Sequence, residues 1–237
     1  MTTTAFRPAP PVRIRSALGL ASLLGVLVAG AMALVWAPPD ANQGEVQRIM
    51  YVHVPAAWTA YLAFGVVFLA SLGWLWTRRP VFDAVAVASA EIGVLLTGLT
   101  LVAGSIWAKP TWGVWWTWEP RLITTAVMFV MYVGYLLLRS LSTDLAGRAT
   151  RAAVIGIVAV VNVPIVHLSV EWMNAQHQLP SVLRPGGPAL DERMLATLIV
   201  GTVAFTILYA WLMVERVALE TARQDRLSDL AHGGPAR

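Results

Sequence analysis

Six long apolar runs alternate with short polar segments along the chain, at about residues 17–36, 56–76, 85–107, 122–138, 152–170 and 194–214. These lengths approach or reach the ~20 residues that a helix needs to cross the hydrocarbon core of a bilayer. The pattern therefore predicts an all-α integral membrane protein with six transmembrane helices and both termini on one side. No long repeat divides the chain, so we expect a single membrane domain over residues 1–237.

Prolines mark the ends and the irregularities of these helices. Pro38 should end the first helix, and Pro120 suits the first turn of the fourth, where a fixed φ and a missing N–H are tolerated. Pro164 falls inside the fifth run and predicts a kink, beside which Asn162 is expected to bond freed backbone groups. Residues 1–15 are polar and are expected to be largely unstructured.

The first run has an alternative interpretation as a cleaved signal peptide, since Ala31-Met32-Ala33 resembles a cleavage site. However, its apolar stretch exceeds the roughly 7–15 residues that are usual for the core of such a peptide. We therefore interpret residues 17–36 as a spanning helix.

The distribution of basic residues predicts the orientation. Segments on the side of the termini hold twelve of the 17 basic residues, and the opposite loops hold the other five, Arg48, Lys109, Arg121, Arg184 and Arg193. Because loops rich in Lys and Arg stay in the cytoplasm, the tails 1–15 and 215–237 are expected there. The opposite loops should then face the periplasm, if the membrane is the inner membrane of a bacterium.

The composition excludes several functions. Hydrophobic residues make up 57% of the chain and charged residues 13%, roughly half of the ~25% found in soluble domains. The net charge of +4 comes from residues scattered over short loops, which suits lipid headgroups rather than nucleic acid. Cysteine is absent, so disulfides and thiolate metal sites are excluded. No nucleotide-binding or hydrolase motif occurs, and we expect a non-enzymatic protein whose partner performs any ATP hydrolysis.

Four of the chain's 11 tryptophans fall within seven residues of the outer loop between the third and fourth spans. The stretch reads Trp112-Gly113-Val114-Trp115-Trp116-Thr117-Trp118-Glu119-Pro120-Arg121. In a helix, its first three tryptophans and Glu119 would share one face and form a continuous indole surface at the membrane interface. Such a surface suits a large flat ligand. The spacing alone is equally compatible with a dense aromatic belt.

Three of the four histidines are predicted on the outer side as well. His53 lies at the outer end of the second span and His177 in the last outer loop, and we interpret both as loop residues. His167 lies near the outer end of the fifth span, and His232 lies in the cytoplasmic tail. A lone loop histidine is usually a surface residue. Two at one membrane depth beside an aromatic cluster are candidate iron ligands, because imidazole is a common axial ligand of haem.

Charged side chains complete a surface that suits a porphyrin, which has an apolar plane, two propionates and an iron. Arg48 and Arg121 are on the outer side, and guanidinium groups bind carboxylates bidentately. In the alternative interpretation, Arg121 pairs with Glu119 or caps the fourth helix. Glu91, in the third span, is expected to have a structural or interfacial role.

Several segments of the sequence resemble the CcmC family, the membrane haem-handling component of bacterial and mitochondrial cytochrome c maturation. The stretch from Gly104-Ser105-Ile106-Trp107 to Arg121 is similar to the family's tryptophan-rich WWD motif. The other matching segments are Ile49-Met50-Tyr51-Val52-His53-Val54-Pro55, Val161-Asn162-Val163-Pro164 and Trp172-Met173-Asn174-Ala175-Gln176-His177. The resemblance covers about residues 45–215, and six spans are also what the family has. Glu119 stands where the family usually has Asp, which leaves the contacts of this carboxylate open.

The resemblance implies that His53 and His177 are axial ligands of a non-covalently bound haem b. The residues implied in the haem platform are Trp112, Gly113, Trp115, Trp116, Trp118 and Glu119, and Arg48, Arg121 or Arg184 would pair with the propionates. It further implies delivery of haem, at the periplasmic face of the inner membrane, to the chaperone CcmE. The small membrane protein CcmD and the ABC-type subunits CcmA and CcmB are the other implied partners.

Other classes remain open at this point. A membrane b-type electron-transfer cytochrome also uses paired histidines, but usually sets them within spans. A haem-binding transport subunit of an ABC-type exporter is a further alternative. A plain transport subunit would use the tryptophans to line a translocation path and would hold no iron. A related synthetase class bears the same motif, but its chains are longer.

Overall fold

The computed structural model describes residues 11–141, 144–173, 176–178, 181–182 and 184–231. Six helical segments in these ranges are long and apolar enough to cross a membrane, namely Val12–Trp36, Glu45–Thr77, Pro80–Trp112, Pro120–Ser140, Ala146–Trp172 and Glu192–Leu227. No strand occurs in the described part. The predicted all-α membrane fold with six spans is confirmed. His232, predicted in the cytoplasmic tail, lies outside the described residues.

Each span consists of one helix, except for local irregularities in the first, second and fifth. The helices are α1 (Val12–Ala31), α2 (Met50–Thr77), α3 (Pro80–Trp112), α4 (Pro120–Ser140), α5 (Leu145–Val160), α6 (Asn162–Trp172) and α7 (Glu192–Ala231). A π-helical turn, Met32–Trp36, extends α1, and a 3₁₀ turn, Glu45–Ile49, leads into α2. Helices α5 and α6 together form the fifth span. We call the end of the bundle at which α3 ends and α4 begins the outer end, and the opposite one the inner end.

Two helices are longer than the sequence predicted because each continues through a proline. Helix α2 begins at Met50 and contains Pro55, and α3 contains Pro110 and ends at Trp112. A proline removes one backbone hydrogen bond and strains the preceding turn, and the packing of a long apolar helix outweighs that loss here. The prediction that His53 lies in a loop is therefore wrong, because it occupies the first turn of α2.

The predictions for the two chain ends also need correction, because both ends are more helical than expected. Residues 12–15, expected to be unstructured, form the start of α1, where Arg15 pairs with Glu215 of α7. Helix α7 continues to Ala231, so much of the charged tail is helical.

Prolines at two other positions behave as predicted. Pro120 is the first residue of α4. The fifth span is interrupted at Val161, between α5 and α6, three residues before Pro164. Asn162 donates its side-chain amide to the backbone carbonyl of Thr124 at 2.8 Å, so it bonds the neighbouring helix α4 instead of its own freed backbone.

Helix α2 lies in the middle of the bundle and packs against α3, α5 and α7. Its buried face is rich in alanine, and Phe64 on the same face stacks on Tyr132 of α4. A Cβ added at Gly93 of α3 would lie only 2.5 Å from the Phe64 ring. Small residues allow helices to approach closely in a membrane, where lipid provides no hydrophobic force between them.

A buried ion network joins four helices at the inner end. Asp83 of α3 accepts hydrogen bonds from both terminal nitrogens of Arg139 of α4, at 2.5 and 2.8 Å, and a third from Gln224 of α7 at 3.1 Å. Arg148 of α5 lies 3.9 Å from Glu220 of α7. All four charged side chains are at most 7% exposed. The network therefore places opposite charges together where the helices leave the apolar layer.

A second ion pair at the inner end is more open to solvent. Glu91 of α3 accepts hydrogen bonds from Arg216 of α7, and the two side chains are 34% and 37% exposed. This pair gives Glu91 the structural role expected from the sequence.

The two pairs lead to a stability prediction. Asp83→Asn leaves the Arg139 charge buried without a full counter-charge, which typically costs about 3–5 kcal/mol. Glu91→Gln removes the carboxylate of a half-exposed pair and should cost about 0–1 kcal/mol. Thermal or denaturant unfolding of the two variants in detergent measures the difference. Equal losses of stability would contradict a specific contribution of the buried network.

Candidate functional site

The tryptophan-rich stretch is a helix end followed by an irregular connection. Gly113 follows α3 with φ = 78°, a left-handed conformation that glycine adopts without strain, and its N–H donates to the carbonyl of Lys109 at 3.0 Å. Residues 113–119 are not helical, and α4 begins at Pro120. The predicted helix with one continuous indole face is therefore wrong, because Gly113 ends α3 after the first tryptophan.

The four indoles consequently point into different surroundings. Trp118 is 81% exposed and Trp115 is 58% exposed, whereas Trp112 and Trp116 are partly buried. Trp116 and Trp118 pack edge to face with centroids 5.9 Å apart, and they border an apolar groove that continues along Ile123 and Val127 of α4. The stretch thus presents apolar area on an open surface of the outer end.

His177 is bound to this stretch through Glu119. Its ring atom Nδ1 lies 2.8 Å from Oε1 of Glu119, and its backbone N–H donates to Oε2 at 3.3 Å. The ring also meets Trp112 edge to face, with centroids 5.5 Å apart. Burial of Glu119 would raise the pKa of its carboxyl, but the hydrogen bonds and charge of His177 outweigh burial and lower that pKa below its usual value. Glu119 is therefore an ionised acceptor at neutral pH.

Arg121 does not pair with Glu119 in the described part of the chain. Its Nη2 donates to the backbone carbonyl of His167 at 2.8 Å, which ties the start of α4 to α6. The Glu119 side chain makes no capping bond to α4 either. The alternatives considered for Arg121 from the sequence, a pair with Glu119 or a cap of the fourth helix, thus give way to its bond to the carbonyl of His167, while Glu119 pairs with His177.

His53 is fixed against α3. Its Nδ1 lies 3.0 Å from the backbone carbonyl oxygen of Thr100, and its ring meets Trp107 edge to face at 5.8 Å. A Cβ added at Gly104 would lie 3.0 Å from Cε1 of His53. The imidazole can lie this close to α3 only because position 104 has no side chain.

The two imidazoles share one hydrogen-bonding arrangement. A carbonyl or an ionised carboxylate can only accept a hydrogen bond, so Nδ1 carries a proton in both rings, and in the neutral form of each ring Nε2 keeps its lone pair. Nε2 forms no hydrogen bond in either residue within the part of the chain that the structure describes. Such partners fix the tautomer and orientation of metal-binding histidines in proteins. His53 also lies close enough to His177 and Arg121 for charges on those two side chains to act on its ring.

The two imidazoles suit a metal ion whose other coordination positions are already filled by a cofactor. No three His, Asp or Glu side chains cluster to hold a metal ion in the described ranges. Protein-bound zinc usually takes three or four side-chain ligands, whereas iron in a macrocycle needs only axial ones. Two imidazoles beside indoles fit the second kind of centre better.

The other outer-side residues considered from the sequence have partners of their own or are exposed. Arg48 donates to the carbonyls of Ala33 and Ala37 and pairs with Glu45, so it holds the end of the first span. His167 has an exposed side chain that meets Tyr61 edge to face. Arg184 is exposed.

Sequence reasoning gave no role to three residues of α3 that contact His53: Thr100, Gly104 and Trp107. In the sequence, Gly104 is noted only as the first residue of the tryptophan-rich motif. Its presence between apolar residues of a long helix is a signal of close approach that could have identified it.

Comparisons with known proteins all identify the same family. The family model CcmC, heme exporter protein C, matches residues 7–231. Heme exporter protein C of Bradyrhizobium diazoefficiens is 40% identical over 199 residues, covering 84% of this chain and 76% of the relative. Heme exporter protein C of Haemophilus influenzae is 39% identical over 204 residues, covering 86% and 82%.

A mitochondrial relative extends the comparison beyond bacteria. The putative cytochrome c biosynthesis ccmC-like mitochondrial protein of Marchantia polymorpha is 38% identical over 169 residues, covering 70% of this chain and 71% of the relative. The resemblance found in the sequence is thereby confirmed. The chain belongs to the CcmC family of membrane proteins, heme exporter protein C.

Proposed function

We propose that this chain holds haem b as cargo at its outer end, with His53 and His177 as axial ligands, and delivers it for cytochrome c maturation. The observation that carries the proposal is the pair of outer-end imidazoles, each with Nδ1 bonded to an oxygen acceptor and Nε2 left for a metal. The names of the relatives, heme exporter protein C and cytochrome c biosynthesis protein, support the same cargo and pathway.

The residues around the imidazoles fit haem. Three side-chain atoms near the tryptophans, Arg121 Nε, Trp116 Nε1 and Thr117 Oγ1, are buried without a hydrogen-bond partner in the described part. A buried polar atom without a partner costs about 1–3 kcal/mol, and a propionate oxygen would accept from any of these three donors. Bound haem supplies an iron with two axial positions for imidazole.

Each group then has a distinct part in holding the cargo. The two partly buried indoles, Trp112 and Trp116, provide apolar area against the porphyrin and keep water from it. Arg121 presents a free guanidinium nitrogen to a propionate, while its Nη2 remains on His167. Arg48 already bonds two carbonyls and Glu45, which makes it the weaker candidate for a propionate.

The proposed partners are those that the resemblance to the CcmC family implies. We propose CcmE as the acceptor that takes haem from the outer end, where Trp115 and Trp118 are exposed. CcmD and the ABC-type subunits CcmA and CcmB would assemble with the spans, and ATP hydrolysis would belong to the ABC subunits. The arginine distribution supports a bacterial inner membrane with the site facing the periplasm.

A b-type electron-transfer cytochrome is the second candidate, because His53 proves to lie on a helix. His177 follows α6 and lies outside the described helices, which favours delivery. A haem that cycles rapidly with quinol and is never passed to a CcmE-type protein would favour the cytochrome.

The proposed ligands lead to a spectroscopic prediction. The purified protein should show the Soret band of six-coordinate low-spin haem, because two imidazoles produce a strong ligand field. Replacing both ligands, His53→Ala with His177→Ala, should remove nearly all bound haem, measured as the ratio of Soret to protein absorbance. His167→Ala is the matched control on the same side and should retain haem. Undiminished haem in the double variant would overturn the ligand assignment.

A glycine pair tests the packing behind His53. Gly104→Ala places a methyl group against the imidazole, so the ring must move and haem retention should fall several-fold. Gly98→Ala is the control on the same helix, because its added Cβ would meet Phe129 at an ordinary 3.5 Å. Both variants gain the same helix propensity, about 0.5–1 kcal/mol. Equal spectra and equal haem content in the two variants would argue against a fixed His53 ring.

A further inference from the structure

Among the described residues, the Glu119 side chain forms hydrogen bonds only with residues 176–177. Oε1 lies at the ring nitrogen Nδ1 of His177 and Oε2 accepts the backbone N–H of the same residue. Its carboxylate is 6% exposed, caps no helix and forms no ion pair with arginine in the described residues. A buried carboxylate used in this way acts on the histidine and not on the helix that follows it.

The two bonds fix both the backbone and the ring of His177. The bond to the backbone N–H sets the distance of residue 177 from the start of α4. The bond to Nδ1 then sets the rotation of the ring, and with it the direction of Nε2. The edge contact with Trp112 limits the ring from the other side. Glu119 is separated from His177 by 58 positions in sequence, so this contact ties the last outer loop to the tryptophan-rich stretch.

We propose that Glu119 is a positioning residue, which orients the His177 imidazole so that Nε2 can bind the iron of haem, without itself touching the haem. The inference deepens the proposed function and rests on it. Through the same hydrogen bond, the carboxylate increases electron donation by the imidazole, as carboxylate partners of metal-bound histidines do. This stabilises the oxidised iron relative to the reduced iron.

Substitutions at position 119 separate these effects. Alanine removes both acceptors. Glutamine keeps the size of the side chain but replaces one of the two oxygens with an NH2 group, so in the observed geometry one of the two bonds to His177 is lost. Loss of such an outer partner typically weakens metal binding by about 10- to 100-fold. We expect haem retention to fall in the order wild type, Glu119→Gln, Glu119→Ala.

The experiment uses the full chain in detergent, loaded with haem, and reads the spin state and the reduction potential. Glu119→Ala should convert part of the low-spin ferric spectrum to a high-spin one, because His177 no longer reaches the iron reliably. Added imidazole should restore the low-spin spectrum by taking the open position. Glu119→Gln should raise the reduction potential. Glu171→Gln, which removes a carboxylate from an exposed position on α6, is the control for charge alone and should leave the spin state unchanged.

The possible results are distinguishable. High-spin haem that imidazole restores in Glu119→Ala, together with a raised potential in Glu119→Gln, supports the positioning role. A low-spin spectrum and wild-type potential in both variants would overturn this role and leave the proposed function standing. If Glu119→Ala does not fold, the size-conserving Glu119→Gln decides by its potential against Glu171→Gln. Absence of haem from the unaltered chain would overturn the proposed function and this inference together.

Discussion

The close approach of α3 to α2 is the constraint on which the outer site depends. Lipid does not drive helices together, so two spans approach only as far as their side chains allow. Gly93 admits the Phe64 ring in the middle of the pair, and Gly104 admits the His53 ring three turns further out. The same contact brings Nδ1 of His53 to the Thr100 carbonyl. Packing in the core and the direction of a candidate ligand are therefore set by one helix pair, whose α3 is bonded to α4 at the inner end through Asp83 and Arg139.

The two histidines are held by different kinds of partner. His53 bonds a backbone carbonyl of a helix, which no side-chain substitution removes. His177 bonds the carboxylate of Glu119 and follows the end of α6. A histidine on a helix is positioned by the whole bundle, whereas His177 depends on the Glu119 carboxylate and on the edge contact with Trp112. The Glu119 side chain makes no bond to its own helix and is buried in contact with His177 instead.

The sequence predicted the six spans well, because ~20 apolar residues in a row have few other stable arrangements than a spanning helix. It predicted helix ends less well, since the predicted second and third spans, 56–76 and 85–107, leave out Pro55 and Pro110, and both lie inside helices. A proline weakens a helix by a local amount, and whether the helix continues depends on packing that no local pattern contains. The sequence did not predict the hydrogen-bond partner of Glu119 for the same reason, because that contact also depends on packing. The nearby Arg121 was a reasonable candidate, but a histidine 58 positions away binds the carboxylate.

The tryptophan-rich stretch was open to two interpretations, and its break at Gly113 lets both apply to different indoles. Trp115 and Trp118 are largely exposed, as expected of residues in an aromatic belt at the membrane interface. Trp112 meets the His177 ring instead. Trp116 has an N–H that is buried without a partner among the described residues, and a belt residue would turn this donor to water or to a headgroup. A single straight helix would have sent Trp112, Trp115 and Trp116 to one face. The irregular path separates them, so that part of the stretch faces the histidines while the rest faces outward.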